Sequence, residues 1–212
     1  MPGFLNDIRC ADKKSSVCRQ AADTIGILLL GIALGVISKY LDCTASNSLP
    51  YIMEYLDVTN FLGRFAIWML IALCISVYSA SPVRAGINVF VFFTGMVVSY
   101  YLYSTFIAGF FPASYAMIWV AFTIISPALA FVCWYAKGNG MIAVMISGVI
   151  LGILFSQAFL ITQGFYVTHF LEVLTWMAGV IILFRKPKEF AIEMGLSFVV
   201  AFLYQSVVPY WG

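Results

Sequence analysis

Eleven basic side chains, nine acidic ones and a single histidine must supply whatever ionic chemistry this chain of 212 residues performs. His169 and Glu172 stand three residues apart, and helical spacing would put an imidazole and a carboxylate on one face. Each group tunes the proton affinity of the other, so the pair suits a proton or cation site. The alternative is a pair facing lipid headgroups. Asp57, Asn60 and Arg64 follow one another at i+3 and i+4 spacing, which makes Arg64 the natural partner of Asp57 or of Glu172. Lys39 and Asp42 close an apolar run on the stripe that carries Gly31, Gly35 and Ser38. Packing of that stripe would turn Lys39 inward, whereas a snorkelling lysine would pair locally with Asp42. Glu193, close to Lys188 and Glu189, reads as an interfacial residue.

Most enzyme classes lack their parts. One histidine excludes multi-histidine zinc centres and the HExxH proteases. The five cysteines, Cys10, Cys18, Cys43, Cys74 and Cys133, form no CxxC pair. There is no GxSxG elbow or P-loop, and the last apolar run has no lysine to hold a retinal Schiff base. No cofactor is expected. A net charge of +2 leaves no footprint for nucleic acid.

The elements that must position these residues are membrane helices. Apolar residues make up 63% of the chain and charged ones 9%, and the mean hydropathy is +1.01. So few charges cannot solvate a globule, since soluble domains carry about 25%. The apolar runs are long and do not alternate, which favours helices over a barrel. Seven are expected: 24–41, 61–79, 85–107, 114–135, 141–161, 168–184 and 190–208. They follow a polar tail over residues 1–23, expected to be weakly ordered, and form one membrane domain over 24–212. The first run is read as a retained helix rather than a cleaved signal. With the N-terminus in the cytoplasm, that side collects Arg9, Lys13, Lys14, Arg19, Arg84, Lys137, Arg185, Lys186 and Lys188, leaving Lys39 and Arg64 outside. This bias follows the positive-inside rule and places the C-terminus outside, with Tyr210 and Trp211 as anchors. Residues 51–57 mix acidic and apolar groups and read equally as a surface helix or a solvated loop.

Internal echoes suggest a three-plus-one-plus-three arrangement with parallel halves. Tyr55-Leu56-Asp57-Val58 returns in kind at Phe170, 115 residues on, and Val97–Tyr103 returns loosely at Val199, about 102 residues on. Gly31/Gly35 and Gly148/Gly152 are both small-xxx-small pairs, and they are expected to pack the first and fifth helices together. Gln157, Thr123, Ser126, Thr94, Ser99 and Asn88 read as polar cross-links between helices, and Pro127 as a kink.

The run Phe93-Thr94-Gly95-Met96-Val97-Val98-Ser99-Tyr100-Tyr101, with Ser126-Pro127 and Trp134-Tyr135-Ala136-Lys137-Gly138, resembles a family of small multi-pass membrane proteins of Gram-positive bacteria whose function is unknown. The similarity covers most of residues 24–185. It implies a bacterial plasma membrane and brings no activity with it. The seven-span size is also similar to that of small vitamin or sugar carriers built as three plus one plus three helices. None of their diagnostic motifs occurs here, so that likeness is architectural.

The sequence therefore reads as an all-α bundle of seven transmembrane helices in a lipid bilayer. It is expected to bind or transport a small cationic or zwitterionic solute in an outward-facing pocket made by Lys39, Asp57, Arg64, His169 and Glu172. The alternative is a non-catalytic assembly protein whose glycine stripes bind a partner membrane protein or a second copy. An intramembrane enzyme built on His169 and Glu172 would need a nucleophile or metal set that the chain lacks.

Overall fold

The computed structural model describes residues 3–11, 16–45, 48–162 and 164–208; Lys13, Lys14, Gln163, Tyr210 and Trp211 lie outside them. Helix dominates. A short α1 (Gly3–Ile8) precedes α2 (Val17–Asp42), and two brief helices, α3 (Tyr51–Tyr55) and α4 (Val58–Gly63), lead into α5 (Phe65–Tyr78). Then follow α6 (Pro82–Phe106), α7 (Ala113–Trp134), α8 (Gly140–Ala158), α9 (Phe170–Leu183) and α10 (Pro187–Val207). A minimal antiparallel hairpin, β1 (Phe159–Leu160) and β2 (Tyr166–Val167), joins α8 to α9. Five helices, α2, α6, α7, α8 and α10, are long and apolar enough to cross a membrane. Bands of exposed Ile, Leu, Val and Phe on their outer faces fit contact with lipid.

The apolar helices α5 and α9 have 14 residues each, which at 1.5 Å per residue is about 21 Å, short of a hydrocarbon core of about 30 Å. The reason lies at the end of the bundle that carries Lys39. The apolar run 61–79 is not one helix, because Arg64 takes an extended conformation (φ −89°, ψ 162°) and separates α4 from α5. Likewise the chain leaves α8 at Ala158, where Phe159 turns extended into the hairpin, and α9 starts only at Phe170 after it. Gln205 on α10 fixes that stop: its Oε1 accepts from the Ile161 N–H (2.9 Å), and its Nε2 donates to the carbonyls of Ser156 (2.9 Å) and Phe159 (2.6 Å).

The tail is more ordered than its composition suggests. Ser16 caps α2, accepting from the Arg19 N–H, so this helix begins seven residues before the expected 24. At the same end Ile8 is buried, its carbonyl accepts from the Asn139 N–H (2.7 Å), and Gly138 leaves room for it. Helix C-termini there leave carbonyls without intrahelical partners, and arginines satisfy them. Arg9 donates to the carbonyls of Val77 (2.9 Å) and Trp134 (2.6 Å) while lying over the Trp134 ring; Arg185 donates to those of Ala136 and Gly138. In α7, Pro127 cannot bond the Thr123 carbonyl, and the Ser126 hydroxyl takes its place (2.8 Å).

The glycine stripes pack differently from expectation. Gly31 and Gly35 of α2 lie against the α6 backbone at Phe92 and Met96, and a Cβ at Gly35 would collide with the Met96 carbonyl. Gly148 and Gly152 of α8 lie against Leu196, Ser197 and Val200 of α10. The first and fifth apolar helices therefore do not meet through their glycines. Each pair seats the first helix of a three-helix group on the third, so these stripes are already covered within the chain and are not free for a partner helix. The two groups agree in further detail. Pro82 and Pro187 open α6 and α10, 105 residues apart, and α5 and α9 start at the same offset. The glycine pairs are offset by 117 because the connection after α2 is longer than the one after α8. The two sequence echoes at 115 and 102 do not fall on these equivalent positions, since Tyr55–Val58 lies in a connection and Phe170–Val173 in a helix.

Candidate functional site

At the Lys39 end, α2, α4, α5, α6 and α7 line a small cavity of about 30 Å³, enough for a water or two. Trp68, Tyr100, Tyr101, Tyr115 and Trp119 supply an aromatic wall, and Asp42 supplies the carboxylate. Asp42 Oδ2 accepts from Lys39 Nζ (2.5 Å) and from the Tyr100 hydroxyl (3.1 Å), while the carboxylate as a whole remains about half exposed. Lys39 resolves its two readings by satisfying both. It is buried, with 2% of its side chain exposed, and is paired with Asp42. Its ammonium sits 5.1 Å from the Tyr100 ring centroid and 4.5 Å from that of Phe110, which offsets part of its desolvation.

Two hydroxyls that line this cavity, Thr59 Oγ1 and Tyr101 OH, are buried and lack a hydrogen-bond partner among the described residues. A buried hydroxyl without a partner is costly, so a polar guest is the natural complement to the site. Donor-acceptor hydroxyls, a carboxylate and π faces line the same cavity. That set suits an ammonium group.

The remaining candidate residues form a second cluster. Arg64 bridges Asp57 (Nη1 to Oδ2, 3.0 Å) and Glu172 (Nε to Oε1), tying the start of α5 to the first turn of α9. Glu172 is 2% exposed, and Oε2 and Arg64 Nη2 have no partner among the described residues. Asp57 also accepts from Asn60 (2.7 Å) and holds a left-handed backbone, φ 54°, a conformation that Asp tolerates better than most residues. His169 is the N-cap of α9 with extended backbone (φ −147°, ψ 148°), and Glu172 lies in the first turn of the helix that it opens. Among the five expected site residues, the structure brings Asp57, Arg64 and Glu172 together. Lys39 belongs to the neighbouring aromatic pocket, and His169 stands at the helix entrance.

Comparison with known protein families, curated proteins and solved structures gives no match. The site is therefore read from its own chemistry.

Two features escaped the sequence reading. Glu193, read as interfacial, is fully buried within the protein, 3.7 Å from Arg185 Nε, and its carboxylate oxygens have no hydrogen bond among the described residues. Its distance of one turn from the helix start suggested exposure, but α8 and the α9–α10 connection cover it. The second feature is a large apolar cavity of about 430 Å³ between α5, α6, α7 and α8. Among the described residues its hydroxyls are those of Ser76 and Ser126, which bond to carbonyls of their own helices. Among the described residues, no group of His, Cys, Asp and Glu is arranged to hold a metal.

Proposed function

We propose that this protein is a seven-span membrane protein, N-terminus in the cytoplasm, that binds and carries a small cationic or zwitterionic solute through the pocket at its Lys39 end. The observation that carries this reading is the pairing of unpartnered hydroxyls, Thr59 and Tyr101, with the half-exposed Asp42 inside an aromatic wall. An ammonium group would meet Asp42 and the rings, and a solute carboxylate would meet Lys39. Orientation is supported by charge: Arg9, Arg19, Arg84, Lys137, Arg185, Lys186 and Lys188 flank helix ends at one side, while Lys39 and Arg64 are at the other. The α5 and α9 helices would complete the seven spans with their approach segments, α4 and the β-hairpin.

Carriage is supported by the duplicated plan of α2–α5–α6 and α8–α9–α10 joined by α7, a construction that carriers use to alternate access. Arg64–Glu172 links one group to the other at the outer face and would act as its latch. Binding by equilibrium dialysis in nanodiscs tests the reading, with methylammonium and glycine as probes, whose primary ammonium is about the size of one water and carries N–H donors for the two hydroxyls and Asp42. Wild type should bind at least one, and Asp42→Asn should lose at least tenfold in affinity. Equal binding by both forms would refute the site.

A further inference from the structure

Resting on that pocket, one more property can be read from its neighbour. Trp119 lines both cavities: one side borders the small polar pocket, and the other borders the large apolar one. Ring contacts hold Trp119, with Trp68 at 6.5 Å, Tyr115 at 6.3 Å and Phe122 at 6.3 Å between centroids. Trp119 is common to the two linings, so a single side chain separates the cavities there.

The apolar cavity has a direction. It follows α5 from Phe65, beside the pocket end, to Ser76 near the opposite end, which at 1.5 Å per residue is about 16 Å along the helix. Buried Leu73, Val89 and Ala130 form its back. Its flanks, Leu129 on α7 and Met145 and Val149 on α8, are exposed on the lipid-facing surface. An alkyl chain entering beside Trp119 would run along the helices, which is how the tail of an outer-leaflet lipid lies. At 430 Å³ the cavity also falls within the usual range for ligand sites, about 300–1,000 Å³.

We infer that the ligand is a single-chain amphiphile, its ammonium-bearing head among Asp42, Tyr101 and Thr59 and its alkyl tail in the α5–α8 cavity beyond Trp119. A head alone fills the small pocket. The tail supplies the apolar area that the larger one offers, and affinity from water should rise by about fourfold for each methylene buried.

The test uses the full chain in nanodiscs, with primary ammonium salts carrying methyl, butyl, hexyl and octyl groups, and 1-octanol as the uncharged control. Free aqueous ligand is measured, and uptake by empty nanodiscs is subtracted. The expected result is a Kd that falls steadily with chain length in wild type. Val149→Trp should flatten this gradient without changing methylammonium binding; Leu129→Trp provides the same blockade from the other flank should the first variant fold poorly. Asp42→Asn should weaken every member of the series. If methylammonium binds through Asp42 but chain length has no effect, the amphiphile is overturned and the solute pocket stands. If octylammonium and octanol bind equally well, and neither depends on Asp42, the cavity is a plain lipophile site and both readings fail.

Discussion

At the residue scale, the Arg64–Glu172 pair sets the largest single-site effects to be expected. Glu172 is buried and Arg64 is its ion-pair partner, so removing the guanidinium leaves a carboxylate uncompensated in a medium of low dielectric. Arg64→Leu should cost about 3–5 kcal/mol, whereas the double variant Arg64→Leu/Glu172→Leu should recover most of that loss. Unfolding in bicelles, read as a double-mutant cycle, checks both; additive losses would contradict the coupling. The cost of ionic groups in lipid is also what made these residues legible in the sequence, since each of Lys39, Asp57, Arg64 and Glu172 demanded a partner. Tyr101 and Thr59 carried no such signal. Their role comes from α4 and α6 meeting, a tertiary event that spacing along one helix cannot encode. The burial of Glu193 carried no signal for the same reason, because it too comes from the packing of other elements over the helix.

At the element scale, close helix approach divides the glycines into two groups. Gly35→Ala should force α2 away from the Met96 carbonyl and cost about 1–3 kcal/mol. Gly26, with nothing within 4 Å of its would-be Cβ, should accept Ala neutrally or gain up to about 1 kcal/mol from helix propensity. Thermal unfolding of the two variants distinguishes them, and equal losses would contradict the packing. Gln205→Leu should free the Ile161 N–H and the carbonyls of Ser156 and Phe159, loosening the hairpin before α9. Faster amide hydrogen exchange over residues 159–168 reads this out. The helices themselves were legible to within a few residues at most ends, because apolar run length and the Pro and Gly breaks are local properties. Two ends were not. The break at Arg64 and the stop at Ala158 are imposed by partners distant in sequence, Glu172 and Gln205. The glycine stripes were recognised as packing faces, but nothing local in them says which helix they meet.

At the scale of the whole molecule, the account places the arginine-rich end in the cytoplasm and the pocket outside. Native cysteines report on this directly: Cys10 and Cys18 are exposed near one end, and Cys43 is exposed at the other. A membrane-impermeant maleimide applied to intact cells should label Cys43, and should reach Cys10 and Cys18 only after permeabilisation. The reverse pattern would invert the molecule.

The solute pocket is central, and one titration bears on it most directly: thermal unfolding of wild type and of Asp42→Asn in nanodiscs against increasing methylammonium. A ligand at 100 times its Kd stabilises the state it binds by about 2.7 kcal/mol. The account predicts that saturable rise in wild type and its loss in Asp42→Asn. A flat wild-type titration, or the same rise in both proteins, would contradict it.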